Sequence, residues 1–113
     1  MMGVSPSDFA QAVEGYALAA IGINCGKSLE ENTRALKELS DATDMPIWYK
    51  PNAGLPQIGA SGNPVYNTSP GQMAEYVERC IELGSRIIGG CCGTSPMHLN
   101  AIAKAVKSQR MNL

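Results

Sequence analysis

Apolar positions along the chain recur with two different periods. Met73, Tyr76, Val77, Cys80, Ile81 and Leu83 fall on one stripe at helical spacing, while Glu75, Glu78, Arg79 and Glu82 mostly face the other way. Leu99, Ile102, Ala103 and Val106 repeat the pattern further on, with Lys104 and Lys107 outward. Residues 17–23, 46–50 and 86–88 form shorter, nearly continuous apolar runs, as expected of parallel strands buried on both faces.

Punctuation sets the boundaries. Ser5-Pro6, Ser69-Pro70 and Ser95-Pro96 each pair an N-cap serine with a proline at the first helical position, where the missing N–H costs nothing. Ser28 with Glu31 three residues on is a capping box. These signals predict helices over roughly 6–14, 29–41, 70–83 and 96–108, with Gly15 and Gly84 at the positions where C′ glycines end the first and third. Strand, loop and helix therefore alternate, which predicts an α/β fold of βα units on a parallel sheet. No internal repeat, low-complexity tract or interdomain linker interrupts the series. The one long loop, residues 51–69, carries Gly54, Pro56, Gly59, Gly62 and Pro64, and its length marks it as functional.

Composition narrows the function classes. The chain has 113 residues with 44% apolar, nine basic and ten acidic side chains, one His and four Cys, which describes a single soluble globular unit. A net charge of −1 and the absence of any like-charge run disfavour nucleic-acid and membrane-surface roles. Residues 15–26 are too short and glycine-rich to span a bilayer, and residues 1–10 lack the basic start of a secretory signal, so neither a transmembrane helix nor a signal peptide is expected. Cys91 and Cys92 are adjacent and the chain can build a core without staples, so a cytoplasmic protein with reduced thiols is the expectation rather than a disulfide framework.

The chemistry-bearing residues follow predicted strand ends: Cys25 after the first strand, Asn52 after the second, Cys91-Cys92 after the third. That is the carboxyl edge of a parallel sheet, where open sheets and barrels both place ligands. A vicinal cysteine pair can share one metal only where the strand has ended and the backbone turns, and Gly89, Gly90 and Gly93 supply that freedom. Zinc–sulfur bonds of about 2.3 Å in a tetrahedron require sulfurs about 3.8 Å apart, a demand that Cys91, Cys92 and Cys25 can meet. Three thiolates without a fourth describe a catalytic zinc site with an open position. The bland alternatives are inert buried thiols or a redox pair. Cys80, on the apolar stripe, reads as core. His98, in the first turn after the Ser95 cap, is either a fourth ligand or a structural side chain, and the structural role is favoured. Asn52 is either a weak, displaceable oxygen ligand or an amide that orders the loop. Gly89 to Ser95 before a helix can also form an anion nest, but no Lys or Arg follows there to neutralise a phosphate.

Three segments carry a resemblance: Ile23-Asn24-Cys25-Gly26, Lys50-Pro51-Asn52-Ala53-Gly54-Leu55-Pro56 and Gly89-Gly90-Cys91-Cys92-Gly93-Thr94-Ser95-Pro96. They resemble the homocysteine S-methyltransferase family, the second and third segments most of all the homocysteine-binding module of its cobalamin-dependent methionine synthase branch. The resemblance implies a (β/α)8 TIM barrel in which Cys25, Cys91 and Cys92 hold zinc, the zinc holds the homocysteine thiolate, and Asn52 is a displaceable contact. It places Asn24, Gly90 and Gly93 in the loops nearest the substrate. A barrel of this kind takes about 250 residues, so residues 1–113 are expected to be its C-terminal part, from the end of a fifth strand at Met1-Met2-Gly3 through helix eight. The expected reaction is methyl transfer to homocysteine, forming methionine, within a longer enzyme whose other domains bind the donor, methylcobalamin being one candidate. Contacts to the amino and carboxylate groups of homocysteine are then expected largely from earlier strands. The missing barrel half, or self-association into a dimer, is the expected partner. A zinc-binding or thiol-redox module without methyl transfer is the alternative.

Overall fold

The computed structural model describes residues 3–111. In chain order its elements are α1 (Pro6–Val13), β1 (Ile21–Cys25), α2 (Leu29–Ala42), β2 (Ile47–Pro51), β3 (Pro56–Ile58), β4 (Pro64–Tyr66), α3 (Pro70–Glu82), β5 (Ser85–Ile88) and α4 (Pro96–Met111). β1, β2 and β5 form a parallel sheet with β2 in the centre, and β3 and β4 form a separate antiparallel pair. The predicted alternation of parallel strands and helices is present. Met1 and Met2, expected at the end of a further strand, lie outside the described residues, and Gly3 stands in a bend.

Ser5, Ser28 and Ser69 cap their helices as predicted, each accepting a hydrogen bond from the third helical amide. The reciprocal capping boxes, however, are completed at Ser5 with Asp8 and at Ser69 with Gln72, whereas at Ser28 the hydroxyl accepts from the Glu31 amide without the return bond to the Glu31 side chain. Gly84 ends α3 with φ at 109°, where a Cβ would meet the Ser40 hydroxyl at 2.3 Å. Gly15 does not take the left-handed conformation. Instead the amides of Glu14 and Tyr16 close the end of α1 on the carbonyls of Gln11 and Val13.

Other expectations are corrected as well. β1 starts at Ile21 rather than Ala17, because its ladder begins where the Ile21 amide reaches the Pro46 carbonyl. The long loop contains a hairpin whose arms were hidden by their shortness and by a proline in each. The strands are also not buried on both faces. In β1 and β2, Ile21, Ile47 and Tyr49 are buried beneath the helices, whereas Gly22, Asn24 and Trp48 on the other face are exposed. Trp48 and its β5 partner Ile87 are 44% and 43% exposed, since no element among the described residues covers that face. Leu99, predicted on the inner stripe of α4, is likewise 48% exposed, because it lines an open groove beside the outer edge of β5.

The core fills the space between the covered face and the helices. One cluster joins Ala10, Ile21, Leu36, Leu39, Ile47, Tyr49 and Cys80, and a second joins Leu29, Ala53, Met73, Val77 and Ile102. This packing fixes the strands from below and leaves their carboxyl ends to carry the site.

Candidate metal centre

β1 ends at Cys25, whose φ of 65° makes it the described non-glycine residue in the left-handed region, and Gly26 follows at 85°. Two consecutive left-handed residues turn the chain sharply off the sheet. The buried Asn32 of α2 holds that turn through a hydrogen bond from Nδ2 to the Cys25 carbonyl, which also accepts from the Asn52 amide at 3.2 Å. A Cβ on Gly26 would lie 1.8 Å from Asn32 Oδ1, so only glycine fits there.

Opposite, the β5 ladder continues past Ile88: the Gly89 amide donates to the Tyr49 carbonyl and the Cys91 amide to the Pro51 carbonyl, both at 2.9 Å. The chain then reverses. The Thr94 amide and hydroxyl both donate to the Cys91 carbonyl, and Gly93, with φ at 80°, packs under the Tyr66 ring of β4. Between the two cysteine segments, Asn52 Oδ1 accepts from the Cys92 amide at 2.9 Å and its Nδ2 donates to the Gly26 carbonyl at 3.3 Å. The Ala53 amide donates to the Cys92 carbonyl at 2.9 Å.

These turns bring the Sγ atoms of Cys25, Cys91 and Cys92 within 4.8 Å of one another, and among the described residues they form the cluster able to hold a metal ion. Cys25 and Cys91 sulfurs are 3.3 Å apart, and Asn24 Nδ2 donates to Cys25 Sγ at 3.2 Å. Separations from 3.3 to 4.8 Å bracket the about 3.8 Å of tetrahedral zinc thiolates, and the donor set is the soft, anionic type that zinc prefers. The hydrogen bond between the pair polarises it: the Cys91 thiol is held below its ordinary value, and the Cys25 thiol is pushed up by the same bond and by partial burial.

The remaining sequence candidates separate cleanly. Cys80 is buried in the first core cluster, its thiol pushed up to about 12 by desolvation. His98 takes the structural role: Nε2 donates to the Thr68 carbonyl at 2.8 Å and Nδ1 accepts from the Ser95 amide and hydroxyl, which ties the hairpin's exit to the start of α4. Asn24 and Asn52 touch the cysteine segments, and Gly90 is pressed against the Thr94 side chain. Sequence reasoning missed Asn32 and Thr94. A lone amide among the buried Leu29, Thr33 and Leu36 of α2 was the available signal for the first.

Comparison with known proteins gives a consistent picture. Residues 1–106 match the family model described as homocysteine S-methyltransferase. The methionine synthases of Mycobacterium leprae and Mycobacterium tuberculosis are each 41% identical over 96 residues, covering 84% of this chain and 8% of theirs. Among solved structures, the homocysteine methyltransferase MmuM from Escherichia coli superposes with a TM-score of 0.70 at 32% identity in both its apo and metallated forms. The apo match covers 91% of this chain and 33% of that one. An oxidized form of the same protein matches with a TM-score of 0.68. This chain thus spans a small part of the methionine synthases and about a third of the solved methyltransferase.

Proposed function

We propose, proceeding from the fact that this chain belongs to the homocysteine S-methyltransferase family, that it supplies the zinc-binding edge of a TIM-barrel enzyme that methylates the thiol of homocysteine to give methionine. The observation that carries the reading is the convergence of the Cys25, Cys91 and Cys92 sulfurs on one sheet edge, with no fourth thiol beside them among the described residues. The methyl donor, methylcobalamin in this reading, is held by parts of a longer, cytoplasmic protein. Among the described residues no helix is long and apolar enough to cross a membrane.

A free thiol has a pKa near about 8.5 and is mostly protonated at neutral pH. Zinc bound by Cys25, Cys91 and Cys92 would supply the charge that converts the substrate thiol to a thiolate and holds it for attack on the methyl group. The chain's own residues do the positioning. Asn52 and Asn32 fix the two cysteine turns relative to each other, and Asn24 directs an amide at Cys25 Sγ. Asn52 Oδ1 has a second lone pair beyond its bond to the Cys92 amide, which keeps it as the displaceable oxygen contact of this reading. No side-chain base is needed, and His98 has both ring nitrogens engaged elsewhere. A second reading, a thiol-redox module, is favoured by the 3.3 Å between Cys25 and Cys91 sulfurs.

The test is metal content followed by thiol capture. The reduced chain should bind about one zinc, and Cys25→Ser, Cys91→Ser and Cys92→Ser should each abolish binding while Cys80→Ser does not. Adding homocysteine should introduce one new sulfur neighbour near 2.3 Å in the zinc X-ray absorption spectrum and release a proton. Full zinc content in Cys91→Ser, or four sulfurs before homocysteine is added, would refute the reading. A chain that binds no zinc and cycles a Cys25–Cys91 disulfide would establish the redox module.

A further inference from the structure

We propose that His98, although not a ligand, is a positioning residue for the Cys91–Cys92 pair, an assignment that rests on the zinc reading above. Its imidazole closes a circuit of hydrogen bonds that leads back to the Cys92 carbonyl.

α1, α3 and α4 begin alike. Ser5, Ser69 and Ser95 each stand before a proline, and the hydroxyl of each accepts from the third helical amide. In all three the side chain at that third position also accepts a bond from the serine's own amide: Asp8 at 3.4 Å, Gln72 at 2.8 Å and His98 Nδ1 at 3.1 Å. An acceptor is all that this cap requires. At Ser95 the acceptor belongs to an imidazole, which carries a second nitrogen on its far side. A backbone amide only donates and a carbonyl only accepts, so the Ser95 amide takes the lone pair of Nδ1 and the proton sits on Nε2, which donates to the Thr68 carbonyl at 2.8 Å.

That second bond leads to the cysteines. The Thr68 amide donates to the Ala53 carbonyl at 3.1 Å, and the Ala53 amide to the Cys92 carbonyl at 2.9 Å. From Cys92 the chain passes through Gly93 and Thr94 to Ser95, where the circuit closes on Nδ1. Ala53, its middle link, is fully buried, so water does not replace the bonds made there. The Tyr66 ring, two residues before Thr68, lies against Gly93 and brings the same two segments together a second time.

The turn that aims the Cys91 and Cys92 sulfurs is thus fastened at one end by Ala53 and at the other by His98. Zinc–sulfur bonds of about 2.3 Å leave little tolerance in where those sulfurs stand, and groups that orient ligands from behind typically change metal affinity by about 10–100-fold. Without the Nε2 bond, Thr68 and the start of α4 separate, and residues 92–95 turn against Ala53.

The test separates the cap from the circuit in the full chain. Asparagine in place of His98 keeps an acceptor for the Ser95 amide, as Asp8 does for Ser5, but is too short to reach Thr68; alanine lacks both functions. Zinc affinity, measured against a competing chelator, should fall at least about tenfold in both His98→Asn and His98→Ala. Loss of the cap alone would confine the fall to His98→Ala. In the zinc-free chains, hydrogen exchange should speed up at the Ala53 and Thr68 amides of His98→Asn, while the Gly89 amide, bonded to Tyr49, keeps its wild-type rate. Wild-type zinc affinity in His98→Asn overturns the assignment of His98 alone. So does weaker zinc with unaltered exchange at Ala53, or with equal acceleration at Gly89, which would mark a general loss of stability. A wild-type chain that binds no zinc overturns the zinc reading, and the assignment with it.

Discussion

Replacing Gly26 with alanine probes how far the candidate metal centre depends on the backbone rather than on the cysteines. The residue stands at φ 85°, where an L side chain costs about 1–2 kcal/mol. The added Cβ would also lie 1.8 Å from Oδ1 and 2.4 Å from Cγ of Asn32, so that amide must leave its place. Asn32 is only 6% exposed and is bonded to the Cys25 carbonyl, and a buried polar group stripped of its partner costs about 1–3 kcal/mol. Together the loss should be about 2–5 kcal/mol, a large part of the about 5–15 kcal/mol that stabilises a domain. Gly62 provides the control, because it has nearly the same φ, 83°, with nothing within 4 Å of its Cβ position. Gly62→Ala should lose only the backbone part. Urea denaturation of the zinc-free chains measures the difference, and zinc titration should show weaker binding in Gly26→Ala but unchanged binding in Gly62→Ala. Equal destabilisation of the two variants would refute the role given to Asn32.

Titration and the open edges carry the further predictions. In the reduced, zinc-free chain at about pH 8, iodoacetamide should label Cys91 before Cys25, because the bond between them leaves more thiolate on Cys91, and mass spectrometry showing the reverse order would contradict this. Cys80 should resist labelling. Its thiol ionises near 9.0 when unfolded and about 12 when folded, so stability should be level below pH 9 and fall between pH 9 and 12, with a shallower fall in Cys80→Ala. The outer edges of β1 and β5 have no strand partner among the described residues, and Trp48, Ile87 and Leu99 are exposed near them, so sedimentation should find the isolated chain self-associated. A stable monomer at high concentration would contradict that.

What the sequence made legible was whatever depends on local grammar. Each Ser-Pro pair marked a helix start because a serine oxygen and a proline ring answer the same problem, the orphan amides of the first turn, wherever they occur. The three cysteines were legible because a vicinal pair among glycines has few other uses. Asn52 was visible as a residue but its role was divided, since one amide can order a loop or face a metal; the structure shows it bonding Cys92 and Gly26 across the site. Burial on two faces was misjudged for Trp48 and Ile87, because an apolar run reports that a surface needs a partner without saying whether this chain provides it. The β3–β4 hairpin escaped because its short arms, each with a proline, carry no period long enough to detect.

The cysteine cluster itself depends on a strand that contributes no thiol to it. Cys25 ends β1 and Cys91 lies in the segment that follows β5, two strands that flank β2 and would stand about 9–10 Å apart if the sheet simply ran on. Their sulfurs are nevertheless 3.3 Å apart, so both chains must lean across the end of the middle strand. β2 permits this by ending at Pro51, which has a carbonyl for the Cys91 amide but no N–H of its own to bring to the β1 side. The next two residues then close the gap, with the Asn52 amide bonding the Cys25 carbonyl, its side chain bonding Cys92 and Gly26, and the Ala53 amide bonding the Cys92 carbonyl. Pro51, Asn52 and Ala53 thus clamp both cysteine turns. The left-handed turn at Cys25 and Gly26 carries one sulfur inward, and the reversal at Gly93 brings in the other two. The arrangement of the thiols is therefore specified by the glycines, the proline and the amides between the cysteines as much as by the cysteines, and a chain keeping the three thiols without Asn52 and Gly26 would keep the sulfurs and lose their geometry.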